Sequence, residues 1–268
     1  MKITYSAYSD WDEAQRKILN AHGIQTSEGY SRIDVDLTEE NQEVINLLDL
    51  WRVKKYVGST YEKRDYDSSQ LFVYVGIWEN GYPMPDDDMG YLNLTYDIDN
   101  YCPECGIGKI QKAPFRIKNK PNWGKKSMFE LGWVYDEIFV RIELYESLFA
   151  GMRINYRPVL LHKTGEIIKD VVQLMLPSAD SNLLLSAEHT FEVCKFCKRK
   201  KWSRQIAGFF PGFDQLKNNP EIFKCQEYFG SGGEAHNPIV ITKSLRDKLK
   251  EIKINPRLIP IESTLVQG

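Results

Sequence analysis

Two pairs of cysteines constrain this chain more than any other feature of its sequence. Each pair has the spacing Cys-x-x-Cys: Cys102 with Cys105 in YCPECG, and Cys194 with Cys197 in CKFCK. Such a pair places two thiolates on one tight turn, and two turns together supply the four ligands of a tetrahedral zinc site. The 88 residues between the pairs do not prevent this, because the entropy cost of closing a loop grows only logarithmically with its length. We therefore predict one structural zinc ion per chain, held by all four cysteines.

Other uses of these thiols stay open at this stage. A redox dithiol of the thioredoxin type opens a helix, and CPECGIGK is too rich in glycine to do so. A disulfide or free thiols are further alternatives, whereas a catalytic zinc ion would need a position open to water. His189 and His236 are candidate spare ligands. Cys225, among aromatic neighbours in IFKCQEYF, is expected to be a small buried residue.

Length and composition indicate an ordinary globular protein. The chain has 268 residues, of which 42% are hydrophobic, and five cysteines, an odd number. Metal-bound, reduced thiols fit this cysteine usage better than a secreted disulfide framework. The sequence has no apolar run near the roughly 20 residues of a membrane span and does not start like a signal segment. We expect a cytoplasmic protein that does not contact membranes.

Residues 1–100 predict an acidic α+β module. Alternating apolar residues predict strands, and apolar residues at helical spacing after acidic first turns predict helices. Thr38 is the expected N-cap of the second helix. The predicted strands are KITYSAY, SRIDVDL, LFVYVGIW and GYLNLTYDI, and the predicted helices are DWDEAQRKILNAHG and EENQEVINLLDLW.

Residues 101–268 predict a second domain built by duplication. The segment 138–159, IFVRIELYESLFAGMRINYRPV, matches the segment 239–261, IVITKSLRDKLKEIKINPRLIPI, in its order of strand, short amphipathic helix, Ile-Asn turn and second strand. Each segment follows its own CxxC pair. The fold class is therefore α+β, with a sheet-plus-helices module followed by a duplicated zinc-knuckle and strand-helix-strand unit, at about 101–176 and 193–262.

Charge is distributed unevenly along the chain. Residues 1–100 contain 19 acidic and 9 basic residues, whereas the whole chain has a net charge of -2. Basic stretches with a tryptophan follow each CxxC pair, and such stretches beside a zinc site often bind nucleic acid. A solvated basic face, a basic face neutralised by the acidic module, or a protein partner would also account for them. The nucleic-acid interpretation assigns Lys198, Arg199, Lys200, Lys201, Trp202 and Trp123 to the contact.

Motifs of catalysis are weak in this sequence. The GSGG stretch at 230–233 precedes a strand and lacks the Lys-Ser/Thr of a phosphate loop, which favours a plain turn. Asp86, Asp87 and Asp88 lack the spacing of a calcium loop. Neither GxSxG nor HExxH occurs. We predict no enzymatic activity, and an enzyme built on converging carboxylates is the third alternative.

The stretch YDIDNYCPECGIGKIQKAPFRIKNKPNWGKK, the distant second CxxC pair, and the endings EIFVRIEL and EYFGSGGEAHNPIVIT resemble a bacterial family of uncharacterised proteins named for a double CxxCG motif. The resemblance covers roughly residues 90–260. Lys198 stands where the second motif has glycine, which bears on the turn after that pair. The family has been proposed to contain immunity proteins that neutralise toxins. The resemblance thus implies a non-catalytic binding protein, and we expect its acidic module to meet a basic partner such as a nuclease.

Overall fold

A computed structural model of the chain describes residues 1–187, 189–204, 207–217 and 219–262. The fold is α+β, as predicted, and divides into two units. The first unit comprises Met1–Ser68 with Gln205–Phe209, and the second comprises the rest of the chain. In the described part of the chain, every helix is too short or too polar to cross a membrane.

The first unit is a three-stranded antiparallel sheet with helices against one face. The sheet has the order β2-β1-β3. Alternate residues of its strands, Ala7, Ile33 and Val35, form a core with Leu19 of the first helix and Leu48 of the second. The elements are β1 (Lys2–Asp10), α1 (Glu13–Ala21), β2 (Tyr30–Asp36), α2 (Gln42–Leu50), β3 (Lys55–Thr60) and α3 (Lys63–Ser68).

Side-chain capping explains where α1 begins, but not where α2 begins. Asp12 caps α1, because its side chain accepts a hydrogen bond from the Gln15 amide while the Gln15 side chain accepts one from the Asp12 amide. The prediction that Thr38 caps the second helix is wrong. Thr38 precedes a 3-10 turn, makes no capping bond through its side chain, and α2 begins only after Asn41.

The second unit holds the two cysteine pairs and most of the strands. Between α5 and β10 the chain continues through a π turn (Tyr145–Phe149) and a 3-10 turn (Ala150–Met152). The elements are β4 (Leu71–Gly76), α4 (Tyr91–Thr95), β5 (Tyr96–Asp97), β6 (Ile110–Gln111), β7 (Arg116–Ile117), β8 (Met128–Leu131), β9 (Val134–Arg141), α5 (Ile142–Leu144), β10 (Asn155–Leu161), β11 (Ile167–Met175), β12 (Phe191–Val193), β13 (Lys200–Trp202), β14 (Ile222–Lys224), β15 (Ile239–Thr242), α6 (Lys243–Glu251) and β16 (Arg257–Pro260).

Two larger sheets of this unit share one pattern of strand order. In the sheet β7-β10-β11-β9-β8, the connection from β9 through its helical segment to β10 straddles the antiparallel strand β11. In the sheet β14-β15-β4-β16, the connection from β15 through α6 to β16 straddles the antiparallel strand β4. After β4 the chain forms a parallel bridge between Glu79 and Glu130, and after β11 it forms one between Ser178 and Lys224.

This shared order bears on the predicted repeat. Both predicted segments do contain a strand, helical turns and a second strand. The central strand of each sheet precedes one CxxC pair in sequence, since β4 comes before Cys102 and β11 before Cys194. The first CxxC pair is thus preceded by β4 and followed by β9 and β10, which flank β11 in the other sheet. The second pair is preceded by β11 and followed by β15 and β16, which flank β4. The duplication itself stays a prediction from sequence.

The division of the chain differs from the predicted boundary near residue 100. Strand β4 lies at the centre of a sheet of the second unit, where Val73 pairs with Val240 on one side and Ile259 on the other. The acidic residues at 69–100 therefore belong to the second unit. The first unit carries 13 acidic and 9 basic residues, so its excess of acid is smaller than that of residues 1–100.

The strand predicted for GYLNLTYDI is also wrong over most of its length. Tyr91–Thr95 is a short helix, and only Tyr96–Asp97 is extended. Tyr91 and Thr95, four residues apart, are both buried, while Leu94 between them is exposed. The alternation of leucines with polar residues imitates a strand pattern, whereas the buried residues of this segment have the spacing of a helix.

Candidate metal centre

The four cysteines of the two CxxC pairs come together in one cluster. Their sulfur atoms all lie within 4.8 Å of one another. Sγ of Cys102 is 3.8 Å from Sγ of Cys194, and Sγ of Cys105 is 3.5 Å from Sγ of Cys197. A tetrahedral site with metal–sulfur bonds of about 2.3 Å separates its sulfurs by about 3.8 Å. All four thiols are free, so the cluster could hold a metal ion as predicted.

The backbone of each pair folds in the same way. The Cys102 amide donates to the Ile107 carbonyl at 2.9 Å, and the Cys194 amide donates to the Arg199 carbonyl at 3.0 Å. Four residues after the first cysteine of each pair, the amide of Gly106 or Lys198 donates back to that cysteine's carbonyl. We call these two turns, 102–107 and 194–199, the first and second knuckles.

Lys198 adopts the turn that its position requires in spite of its side chain. Its φ is 62°, close to the 78° of Gly106 in the first knuckle. A left-handed conformation costs a residue with a Cβ roughly 1–2 kcal/mol, which glycine avoids. The departure from the CxxCG pattern thus leaves the knuckle geometry intact and adds local strain.

The GSGG stretch packs against the first knuckle. A Cβ on Gly106 would lie 2.5 Å from the Gly233 carbonyl oxygen and 2.6 Å from the Ala235 nitrogen. A Cβ on Gly233 would lie 2.9 Å from the Pro103 carbonyl oxygen. These glycines therefore serve a close approach between two backbones beside the cluster, in agreement with the predicted turn.

Lys201 is a buried cation in this region, although the sequence suggested a contact with nucleic acid. Its side chain is 2% exposed. The ammonium donates to the carbonyl oxygens of Cys105 at 3.1 Å and Glu234 at 3.0 Å, and also to that of Gly232. Lys201 belongs to the strand after the second knuckle, so this one group joins both knuckles to the GSGG stretch.

Arg199 is also directed at the cluster. Its Nε donates to Sγ of Cys197 at 3.3 Å, and its Nη2 donates to the Asn100 carbonyl at 2.7 Å. Four thiolates around a divalent ion carry two negative charges in excess, and nearby cations offset them. Two residues of the basic run at the second knuckle, Arg199 and Lys201, thus have a place beside the sulfur cluster, where their charge would offset that of the thiolates.

The two knuckles differ in the acidity of their thiols. Without any contribution from a metal, the pKa of Cys197 is lowered to about 6, because the Arg199 amide and side chain both donate to the sulfur. The pKa of Cys194 is likewise lowered by backbone amides, those of Cys197 and Phe196. Burial raises the pKa of Cys105 to about 12. The second knuckle is thus the one that favours thiolates.

Trp123 lies in a hydrophobic core of the second unit and cannot stack on a base. It is 6% exposed, packs on Phe129 at 5.3 Å between ring centroids, and donates from Nε1 to Asp170 at 3.0 Å. Arg141 covers one face of its ring. Trp123 and Lys201 are therefore removed from the predicted nucleic-acid contact by burial.

The remaining predicted residues stay near the surface of the second knuckle. The Lys200 ammonium lies over the rings of Phe191 and Trp202, at 3.7 Å and 3.6 Å from their centroids. Lys198 is exposed and donates to the Lys195 carbonyl at 2.8 Å.

An aromatic residue of this knuckle was missed by the sequence analysis. Phe196, between the two cysteines of the second knuckle, is 73% exposed. The first knuckle has Glu104 at the same position, so the difference could have been read from the sequence. Phe196 borders a groove of about 370 Å³ that also reaches Val193, Lys195 and Glu104.

Other candidate ligands lie apart from the sulfur cluster. Within the described residues, the cluster comprises cysteines alone. His189 contacts Ser186, and Nδ1 of His236 lies 3.2 Å from a Glu234 carboxylate oxygen. Cys225 is 1% exposed in a second core of this unit, as expected.

No family model, curated protein or solved structure matches this chain.

Proposed function

We propose that this chain is a non-catalytic binding protein whose second unit is held together by one structural zinc ion. The observation that carries the proposal is the convergence of four thiols, because a four-thiolate site leaves no position for water or substrate. Tetrahedral sulfur ligation selects zinc or an iron–sulfur centre, and a single ion suits sulfurs this close together. When bound, zinc would supply stability by linking the knuckles at Cys102–Cys105 and Cys194–Cys197. The cytoplasm, where thiols stay reduced, is the compartment that suits such a site.

Metal analysis of the purified, untagged chain tests this proposal. We expect one zinc ion per chain, four thiols protected from alkylation, and a large fall in the thermal midpoint after chelation. Cys102→Ser should lower zinc affinity by more than about 100-fold, beyond the upper end for residues that only support a ligand. Cys225→Ala is the matched control and should keep one zinc ion per chain. A metal-free protein with readily oxidised CxxC pairs would refute the proposal.

The family resemblance suggests what such a protein binds. We infer a protein partner, in particular a toxin that this chain neutralises. Support for a basic partner comes from the first unit, which has 13 acidic and 9 basic residues. Deleting residues 1–100 would be a poor test, because it removes β4 from the centre of its sheet. Substitutions of surface residues in the first unit are a better test of partner binding, because they leave β4 in place.

Nucleic-acid binding is the second candidate, and one feature favours it. Lys195 and Lys198 are exposed on the second knuckle with the exposed Phe196, and Lys200 is exposed on the strand that follows. Cations that contact phosphates beside a ring that stacks on a base are the elements of a single-strand site.

This candidate has its own test. A labelled oligothymidylate should bind with an affinity that falls steeply with salt, and the variant Lys195→Glu/Lys198→Glu should reduce both the affinity and the salt slope. Phe196→Ser should weaken binding with the slope unchanged. Binding that is insensitive to salt, or equal in all these variants, would contradict a nucleic-acid function.

A further inference from the structure

The three-stranded sheet of the first unit has a face that the helices do not cover. Successive side chains of a strand point to opposite faces. Ala7 and Ile33, which pair across β1 and β2, point into the core with the helices. Tyr8 therefore points to the other face. Tyr30 of β2 pairs with Asp10 of β1, and Tyr56 of β3 pairs with Ser6 of β1, so both tyrosines share the face of Tyr8.

These three tyrosines form an exposed aromatic cluster on adjacent strands. Tyr30 is 75% exposed, Tyr56 is 50% exposed and Tyr8 is 36% exposed. The rings of Tyr8 and Tyr30 are stacked with centroids 6.4 Å apart, and those of Tyr8 and Tyr56 meet edge-on at 5.9 Å. With Ser6 they line a concavity of about 400 Å³. Exposed aromatic clusters of this kind mark interaction sites, since tyrosine contributes much contact area for little loss of side-chain entropy.

The surroundings of the cluster already accommodate cations. The Arg32 guanidinium lies 5.9 Å from the Tyr8 ring centroid, and the Lys54 ammonium lies 5.0 Å from that of Tyr56. Arg32 is held by Asp34 at 2.8 Å, and the Ser6 hydroxyl donates to the same carboxylate at 2.6 Å. One guanidinium therefore already lies over a tyrosine ring with a carboxylate beside it on this face.

The net charge selects among possible occupants. The first unit has an excess of four acidic residues over basic ones. A nucleic acid would stack well on tyrosines, but its phosphates would meet this excess of negative charge. A basic polypeptide gains from both features, because its charge complements that of the unit and its guanidinium groups can stack on the rings.

We propose that Tyr8, Tyr30 and Tyr56 form a docking platform for an extended, arginine-bearing segment of a partner protein. The proposal rests on the proposed function, namely that this chain binds a protein, and it names the surface and the chemistry of the contact. The rings supply stacking surfaces for guanidinium groups. Asp10, on the same face of the sheet, supplies complementary charge, and Asp34 contributes while it also pairs with Arg32.

Fluorescence anisotropy on the full chain tests the platform. The probes are a short labelled peptide of alternating arginine and glycine, a glutamate–glycine peptide of equal length, and an oligothymidylate, each at about 0.15 M salt. The arginine peptide should bind in preference to the other two. The double variant Tyr30→Ser/Tyr56→Ser, which keeps the net charge, should raise its Kd at least about tenfold.

Two control variants separate stacking from general charge attraction. Leu50→Ser removes another residue of the first unit that is 75% exposed and should leave the Kd unchanged. Asp34→Asn should raise the Kd several-fold, because it removes the carboxylate beside the rings while the tyrosines stay in place.

Defined outcomes would overturn the platform. Equal binding of the arginine peptide by wild type and the tyrosine double variant would do so, as would the absence of binding by wild type. Tyrosine-dependent binding of the oligothymidylate in preference to the arginine peptide would assign the face to nucleic acid instead. Zinc content measured on the same samples keeps the two proposals apart: one zinc ion per chain with no platform binding overturns only the platform, and platform binding without zinc overturns only the structural zinc.

Discussion

Replacing Lys201 by methionine removes one ammonium group from beside the sulfur cluster and leaves a side chain of similar length. In the native protein this ammonium donates to the carbonyl oxygens of Cys105, Gly232 and Glu234. The substitution leaves those three acceptors without their donor. It also removes a cation close to a centre that carries excess negative charge when a divalent ion is bound.

The expected loss follows from these contacts. A hydrogen bond to a charged group contributes roughly 1.5–3 kcal/mol, and a buried acceptor left unpaired costs roughly 1–3 kcal/mol. Lys201 and Gly232 border the groove beside the second knuckle, so water can replace part of what is lost. We therefore expect a loss of about 2–3 kcal/mol in the free energy of unfolding, which is roughly 30- to 150-fold in the equilibrium constant. Zinc affinity should fall by roughly 10- to 100-fold, as for other residues that support a ligand.

Urea unfolding of the zinc-loaded protein measures this loss, and Lys200→Met is the matched control. Lys200 is the preceding residue and is exposed. Among the residues that the structure describes, its ammonium contacts only the rings of Phe191 and Trp202. Losing those contacts should cost at most about 1 kcal/mol. Equal losses for the two variants, or unchanged stability and zinc affinity in Lys201→Met, would refute the role assigned to the buried ammonium.

Three further predictions concern the same region. Gly106→Ala should destabilise the second unit by at least about 3 kcal/mol in urea unfolding, because its Cβ would meet backbone atoms at 2.5 Å and 2.6 Å; a wild-type value would contradict the close approach. Lys198→Gly should stabilise the protein by about 0.5–1 kcal/mol, since relief of the left-handed strain exceeds the entropy cost of glycine, and a loss of stability would refute this. Burial alone would raise the pKa of Glu234, but hydrogen bonds from His236 and Arg204 outweigh it and lower that pKa. The resulting stability is present above the unfolded pKa and lost as pH falls through the folded pKa. Wild type and Glu234→Gln should therefore differ most at pH 7, and the difference should shrink as pH falls below the unfolded carboxyl pKa of roughly 4.3 in unfolding experiments.

The four candidate metal ligands and the elements β1, α1, β2 and α2 were predictable because their signals are local, whereas β3 and α3 were not predicted. A CxxC spacing fixes two sulfurs on one turn wherever that turn lies in the fold. The strands at Lys2–Asp10 and Tyr30–Asp36 and the helix at Glu13–Ala21 follow from short-range periodicity and capping. Even the exposed Phe196 had a local signal, since the first knuckle has a charged residue at its position.

Tertiary structure alone decided which unit β4 belongs to and which basic residues remain at the surface. The sequence of Leu71–Gly76 predicts a strand, but only its pairing with β15 and β16 places it in the second unit. Likewise Lys200 and Lys201 are adjacent in a basic run, yet one ammonium lies over surface rings and the other is buried among carbonyls. Periodicity and spacing act over a few residues, whereas strand partners and the burial of a charge depend on segments that are far apart in sequence. The sequence by itself therefore determined the four candidate ligands and most local elements of the first unit, and long-range packing determined what surrounds them.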